Sequence, residues 1–383
     1  MEIDTTFLTE TLVELVQTDS RNPALTPGSP GEVAVAAYTA QRLRDLGLDV
    51  FVHEVAPNRP NVVGILRGTG GGKSLLLNAH MDTVGVEGMD APFSAEIRDG
   101  KLYGRGSQDM KGSLAAMIAA AKAIVDAGIT LSGDLLITAV ADEEYVSIGM
   151  DDLVQHYSAD AAIVTEPTDM RLCRAHRGFV WCTVESKGRA AHGSRYDEGI
   201  DAIMRMGRFL GELDGLEQDL RQRPAHSLVG TPSLHASMIE GGTEISIYAA
   251  KCTLKIERRT NPGESVAQAT AEIEALSDRL NAADPTNQLT LSVDFSRPAF
   301  EIGADRPIVK VVERALANRL GQAAPHVGAT FWTDAAILAE AGIDTVLLGP
   351  IGAGLHSAEE WVDLQSVIDL AAVLADTAVT FCH

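Results

Sequence analysis

Residues 73–84 read KSLLLNAHMDTV, and the rest of the chain is best read outward from them. Leu75, Leu76 and Leu77 form a continuous apolar run behind Gly70, Gly71 and Gly72. That pattern predicts a short strand buried on both faces. His80 and Asp82 follow where the strand leaves the core. Imidazole is a common zinc ligand, and a nearby carboxylate can fix the ring in its metal-binding tautomer. One such pair is more often a turn than a site, so what matters is how the other strands end.

They end in the same chemistry. The run DLLITAVA leads into Asp142, Glu143 and Glu144, AAIVT leads into Glu166, and TVLLGP leads on to His356. Asp109 lies in a glycine-flanked turn ahead of the alanine-rich helix expected over 113–127. Helices expected over 4–16 and 32–46 and strands expected over 50–55 and 61–66 complete an alternating pattern. Such alternation predicts an α/β layer with a largely parallel sheet. Sites on open α/β sheets lie beyond the carboxyl ends of the strands, so these residues should converge on one rim. Two histidines and four or five carboxylates suit two divalent ions sharing one carboxylate. Two such ions can polarise a carbonyl and supply hydroxide, and one unligated carboxylate is then needed to handle the proton.

Residues 174–296 differ. FVWCTVES over 179–186 alternates as a half-exposed strand does, and 233–239, 245–257 and 288–295 behave likewise. With helices over 199–213 and 265–281 they describe an α+β insert between catalytic segments 1–173 and 297–383.

Composition limits the function classes. The 383 residues carry a formal charge of −22, which argues against a nucleic-acid or anionic-membrane partner. Cys173, Cys182, Cys252 and Cys382 form no CxxC pair, so a reduced, cytoplasmic protein is expected. The acidic start MEIDTTFLTE lacks a signal-peptide core, and no apolar run approaches 18 residues, so no membrane-spanning segment is expected.

The motifs NAHMDTV, LYGRGSQDMKGSLAA, VADEEYVSIG, TEPTD, AAHGSRYDEGIDAI, RRTNPGE, TDAAILAEAGI and GAGLHSAEEWV occur in this order. In them the chain resembles the M20 metallopeptidases, a family that includes acetylornithine deacetylase, succinyl-diaminopimelate desuccinylase, aminoacylase and glutamate carboxypeptidase. The resemblance implies a zinc-peptidase-like catalytic domain with an inserted lid and dimerisation domain. It implies two zinc ions, with cobalt or manganese also compatible. His80, Asp109 and Glu166 would hold one, and Asp109, Glu144 and His356 the other, with Asp109 bridging. Asp82 would orient His80, and Glu143 would be the general base acting on a metal-bridging hydroxide. A cis peptide would follow Asp109. His192 would reach the site of the partner subunit in a homodimer and help stabilise an oxyanion. Arg259, or its neighbour Arg258, would bind a substrate carboxylate, with Gly242 in a turn near substrate. Thr333 would line the pocket, although a helix N-cap role for Thr333 or Asp334 is an equal alternative. The family often has Asn where this chain has Ser246 or His235.

The function implied is hydrolysis of the amide bond of an N-acyl amino acid. The alternatives within the family are carboxypeptidase and dipeptidase. A non-catalytic binding protein on the same fold is the rival of another class, but such proteins usually lose a ligand or the base. A dehydrogenase fails on context: the glycines at 68–72 lack GxGxxG spacing and precede a strand rather than a helix.

Overall fold

The computed structural model describes all 383 residues, and they fall into two compact units. The first comprises Met1–Arg174, Ile302–Val327 and Thr333–His383. The second comprises Ala175–Glu301 together with Gly328–Trp332, a short piece that the sequence reading leaves in the last catalytic segment.

At the centre of the first unit lie three adjacent parallel strand pairs. Leu75–His80 pairs in parallel with Leu135–Val140 on one side and with Ala161–Val164 on the other, and Asp344–Leu347 adds parallel to Ala161–Val164. Arg59–Leu66 and Asp49–Ala56 extend the sheet antiparallel at one edge. All six residues of Leu75–His80 and of Leu135–Val140 are buried, as strands covered on both faces must be. Asp4 caps the first helix, Thr5–Gln17, by accepting from the Phe7 amide at 3.0 Å. Asp99 and Gly100 both take positive φ and close the small hairpin of Glu96–Arg98 with Lys101–Tyr103.

The C-terminal helix Leu364–Phe381 corrects one expectation from sequence. By length and composition it could cross a membrane. Here it serves as a core helix, packed on Gly112–Asp126 and Pro307–Leu320 with Leu370, Leu374 and Phe381 buried.

The second unit is a four-stranded antiparallel sheet, ordered Ser233–Gly241, Lys251–Thr260, Gly178–Lys187, Leu289–Arg297. Helices Ala202–Gln222 and Val266–Ala283 pack on one face over a core that includes Val180, Val184, Phe209, Leu254 and Ile273. A capping box formed by Ser265 and Gln268 starts the second helix. The strand expected over 245–257 begins only at Lys251; residues 245–247 instead carry a turn in which the Ile247 amide bonds the Glu244 carbonyl at 3.2 Å.

Candidate metal centre

The carboxyl ends of the parallel strands converge as their order requires. His80 is the last residue of its strand, fully buried between two neighbours. Its Nδ1 lies 2.9 Å from the Asp82 carbonyl oxygen. A carbonyl only accepts, so Nδ1 carries the proton and Nε2 points into the site. Nε2 is 3.0 Å from Asp109 Oδ1, 3.8 Å from Glu166 Oε1 and 4.0 Å from Glu143 Oε2. On the other side of Asp109, His356 Nε2 stands 3.3 Å from Asp109 Oδ2 and 3.1 Å from Glu144 Oε2. Asp109 therefore presents one oxygen to each histidine, and each pair gains one further carboxylate.

The role of Asp82 differs from the sequence expectation. Its carboxylate is 3.7 Å from His80 Nδ1, too far for a hydrogen bond. It accepts instead from the backbone amides of Glu143 at 3.1 Å and Glu144 at 3.2 Å. Asp82 thus steadies the histidine through its main chain and the acid pair through its side chain.

Asp109 sits in a tight turn, Ser107–Lys111, entered through Gly106 at φ +79°, and the Asp109–Met110 peptide is cis. The turn hangs on a residue that sequence reasoning passed over. The buried Glu360 carboxylate accepts from Gly106, Gln108 and Asp109 amides at 2.9–3.1 Å and from Arg105 Nη1 at 2.6 Å. Only its place in the acid pair Glu359–Glu360, four residues past His356, hinted at a role. His356 itself does not follow its strand directly. It lies in a loop at φ +57° between Gly352–Ala353 and Trp361–Asp363, and its side chain is 54% exposed against 1% for His80. The site therefore opens on the His356 side.

The electrostatics call for cations. Burial pushes the Glu166 and Glu143 carboxyls well above their ordinary range, and the charges of Asp109 and Glu166 respectively add to the effect. Burial likewise raises Glu144 to about 7, with Asp109 adding to it. For Asp109, burial is outweighed by hydrogen bonds to His356 and His80, which hold it well below that range. His356 is drawn up to about 10 by Asp109 and Glu144, and His80 rises against its own burial for similar reasons. Glu144 Oε1 is buried without a hydrogen-bond partner. Divalent ions would neutralise this crowd of acids and use the idle lone pairs. Distances agree. Tetrahedral ligands about 2.1 Å from zinc stand about 3.4 Å apart, and the measured ligand-atom separations from His80 and His356 run from 3.0 to 3.8 Å. The residues present fit two metal ions.

The remaining expected residues lie elsewhere. Thr333 is buried in the first unit, and its hydroxyl accepts from the Ala335 amide at 3.2 Å, a cap-like contact at the start of helix Ala335–Glu340. His192, Gly242 and both arginines belong to the second unit. His192 Nδ1 meets Ser194 Oγ at 2.8 Å. Gly242 takes φ +80° in the turn after Ser233–Gly241. Arg258 is fully buried and tied to Glu264 and Glu272, whereas Arg259 is partly exposed, stacks over Phe179 and donates to the Thr330 carbonyl at 2.8 Å.

Comparison with known proteins agrees with the fold. The sequence profile described as Peptidase family M20/M25/M40 matches residues 76–380. The acetylornithine deacetylase of Myxococcus xanthus is 28% identical over 98% of this chain and 97% of its own length. An N-formyl-4-amino-5-aminomethyl-2-methylpyrimidine deformylase from Bacillus subtilis is 28% identical over 97% and 95%. A tripeptidase from Staphylococcus aureus superposes with a TM-score of 0.82 at 22% identity, covering 99% of each chain. The chain belongs to peptidase family M20/M25/M40, as a metal-dependent hydrolase of amide or peptide bonds.

Proposed function

We propose that the protein removes a small acyl group from the nitrogen of an amino acid or related amine, using two metal ions and Glu143 as general base. The observation that carries this reading is the division of labour around Asp109. His80, Asp109 and Glu166 form one ligand group and Asp109, Glu144 and His356 a second, which leaves Glu143 over as the unligated acid. When bound in these groups, two zinc ions would polarise the amide carbonyl and lower the pKa of water to supply the nucleophile. Glu143 Oε2 lies 4.0 Å from His80 Nε2, beside the first ligand group and outside both, where its carboxylate would hold and release the proton that the hydrolysis moves. The two relatives described above favour deacylation over peptide cleavage, because both names denote removal of a small acyl group from nitrogen.

The second unit supplies the rest of the proposal. Arg259 is the better carboxylate ligand of the pair, since Arg258 is already committed to buried acids. In a homodimer His192 would reach the partner subunit's site and donate to its developing oxyanion, a contribution of roughly 3 kcal/mol in comparable sites. A homodimer through this unit is supported by strand Ser233–Gly241, which lies at the sheet's edge and exposes Met238 and Ile239. Unpaired edges of this kind recruit a further strand.

Release of amine from formyl-, acetyl- and succinyl-amino acids and from dipeptides tests the reading, assayed before and after chelation and after zinc or cobalt is restored. The expected result is metal-dependent turnover of one acyl class. Turnover confined to dipeptides would reassign the protein to the peptidase branch. An inert metal-replete protein would point to a binding role.

A further inference from the structure

The acid pair Glu143–Glu144 is held by a buried chain of polar groups that begins far away in sequence. Glu32 is completely buried and accepts from both nitrogens of the Nε–Nη2 edge of Arg59, at 2.6 Å each. Arg59 Nη2 also donates to Asp142 Oδ1 at 2.9 Å. The same oxygen accepts from Asn22 Nδ2 at 3.0 Å, and that nitrogen donates equally to Asp82 Oδ2 at 2.8 Å. Asp82 in turn fixes the amides of Glu143 and Glu144. The chain of contacts therefore brackets the acid pair, with Asp142 on its N-terminal flank and Asp82 beneath its amides. Asp142 itself sits at φ +71°, and its carbonyl receives the Tyr145 and Ser147 amides at 3.3 and 2.7 Å. Arg59 is the one cation hydrogen-bonded into this run of acids, and Asn22 is its only neutral side-chain donor.

We infer that Asn22 and Arg59 are positioning residues: the Glu32–Arg59–Asp142–Asn22–Asp82 network sets where the Glu143 and Glu144 carboxylates point. This rests on the reading of Glu143 as base and Glu144 as ligand given above. The requirement is chemical. Asp82 and Asp142 present oxygens to one small space, and like charges there repel unless a donor lies between them. The Asn22 amide nitrogen is that donor, with two hydrogens for two carboxylates. Its own carbonyl oxygen is tied to the Ala24 amide at 2.9 Å, which fixes the side chain's orientation. Arg59 holds Asp142 against this amide with a planar fork that a lysine cannot reproduce.

Two variants test it. Asn22→Asp keeps the shape but replaces the shared donor with a third acceptor, and Arg59→Lys keeps the charge but loses the fork. Each is compared with wild type in turnover on its best N-acyl substrate and, separately, in metal content during titration with a chelator. Groups supporting metal ligands typically change activity or metal affinity by about 10–100-fold when altered. The expected result for Asn22→Asp is a fall in kcat of that order with KM within twofold. One of its two metals should also be lost at a roughly tenfold lower chelator concentration. Arg59→Lys should show the same pattern more weakly. A network that served folding alone would lower the melting temperature while leaving kcat per folded molecule and metal retention unchanged, and that outcome in folded variants overturns the inference. If Asn22→Asp does not fold, Asn22→Ala and Arg59→Lys decide by the same readings. Metal retention needs no substrate, so a wild-type protein inert to every substrate would defeat the proposed reaction while this comparison still stood.

Discussion

Glu360 offers the most demanding test of how the bridging aspartate is held. Each of its carboxylate oxygens accepts two hydrogen bonds: Oε1 from the amides of Gln108 and Asp109, and Oε2 from Gly106 and from Arg105. In Glu360→Gln only one oxygen remains. Whichever way the amide turns, two of the four donors face an NH₂ group, and Arg105, 3% exposed, loses its counter-charge. Each orphaned buried donor costs about 1–3 kcal/mol, and a broken buried pair about 3–5 kcal/mol. Taking about 3–5 kcal/mol in all, and about 2–4 °C per kcal/mol for a domain of this size, the melting temperature should fall by about 6–20 °C. Calorimetry of wild type and variant, each fully metal-loaded, reads this directly. The damage is centred on the turn that carries Asp109, so both metals should also become easier to strip. A variant melting within 2 °C of wild type, with unchanged metal retention, would refute the claim that Glu360 anchors the turn.

Other expectations follow from the same geometry. Glu143→Gln should keep both metals and KM while kcat drops by about 10²–10⁴, as loss of a general base does; stopped-time assays with metal analysis check it, and retained turnover rejects Glu143 as base. The metal-free protein should lose stability as pH rises from 5 to 9. Glu143, Glu144 and Glu166 have raised folded pKa values, so the folded chain keeps protons that the unfolded chain has already released. His80 and His356 are raised too, so their stabilisation is present below about 6.5 and is lost as pH climbs toward the folded value, about 10 for His356. Metal displaces these protons, so thermal melts should show the loss only in metal-free protein, and zinc affinity should tighten as pH rises. In the homodimer proposed above, Met238→Lys with Ile239→Glu should shift sedimentation from dimer to monomer, since charge on an edge strand blocks pairing, and a wild-type protein that sediments as a monomer would reject that dimer.

Much of this was legible in the sequence because buried parallel strands announce themselves as short apolar runs, and their carboxyl ends are where ligands must lie. His80 and Glu166 could be placed that way. The same logic reached His356 but not how far it stands from its strand, and it did not place Asp109. Asp109 sits in a turn whose shape depends on Glu360, about 250 residues on, and His356 in a loop nine residues past its strand. The sequence assigns the Asp82 carboxylate to the imidazole because they are neighbours in the chain; its partners are instead the Asn22 amide and two backbone amides, the latter brought near by the parallel pairing of Leu75–His80 with Leu135–Val140. Nothing local in the sequence marks the Asn22 side chain as a bridge between two acids. The C-terminal helix was missed for a different reason. Polar residues interrupt its apolar stretch in the sequence, whereas on the helix Leu370, Leu374 and Phe381 fall together in the core.

The central claim is that two ions share Asp109. Anomalous diffraction from zinc-loaded crystals tests it most directly. The account predicts two peaks about 3.5–4 Å apart, one among His80, Asp109 and Glu166 and the other among Asp109, Glu144 and His356. A single peak, or two that do not have Asp109 between them, would contradict it.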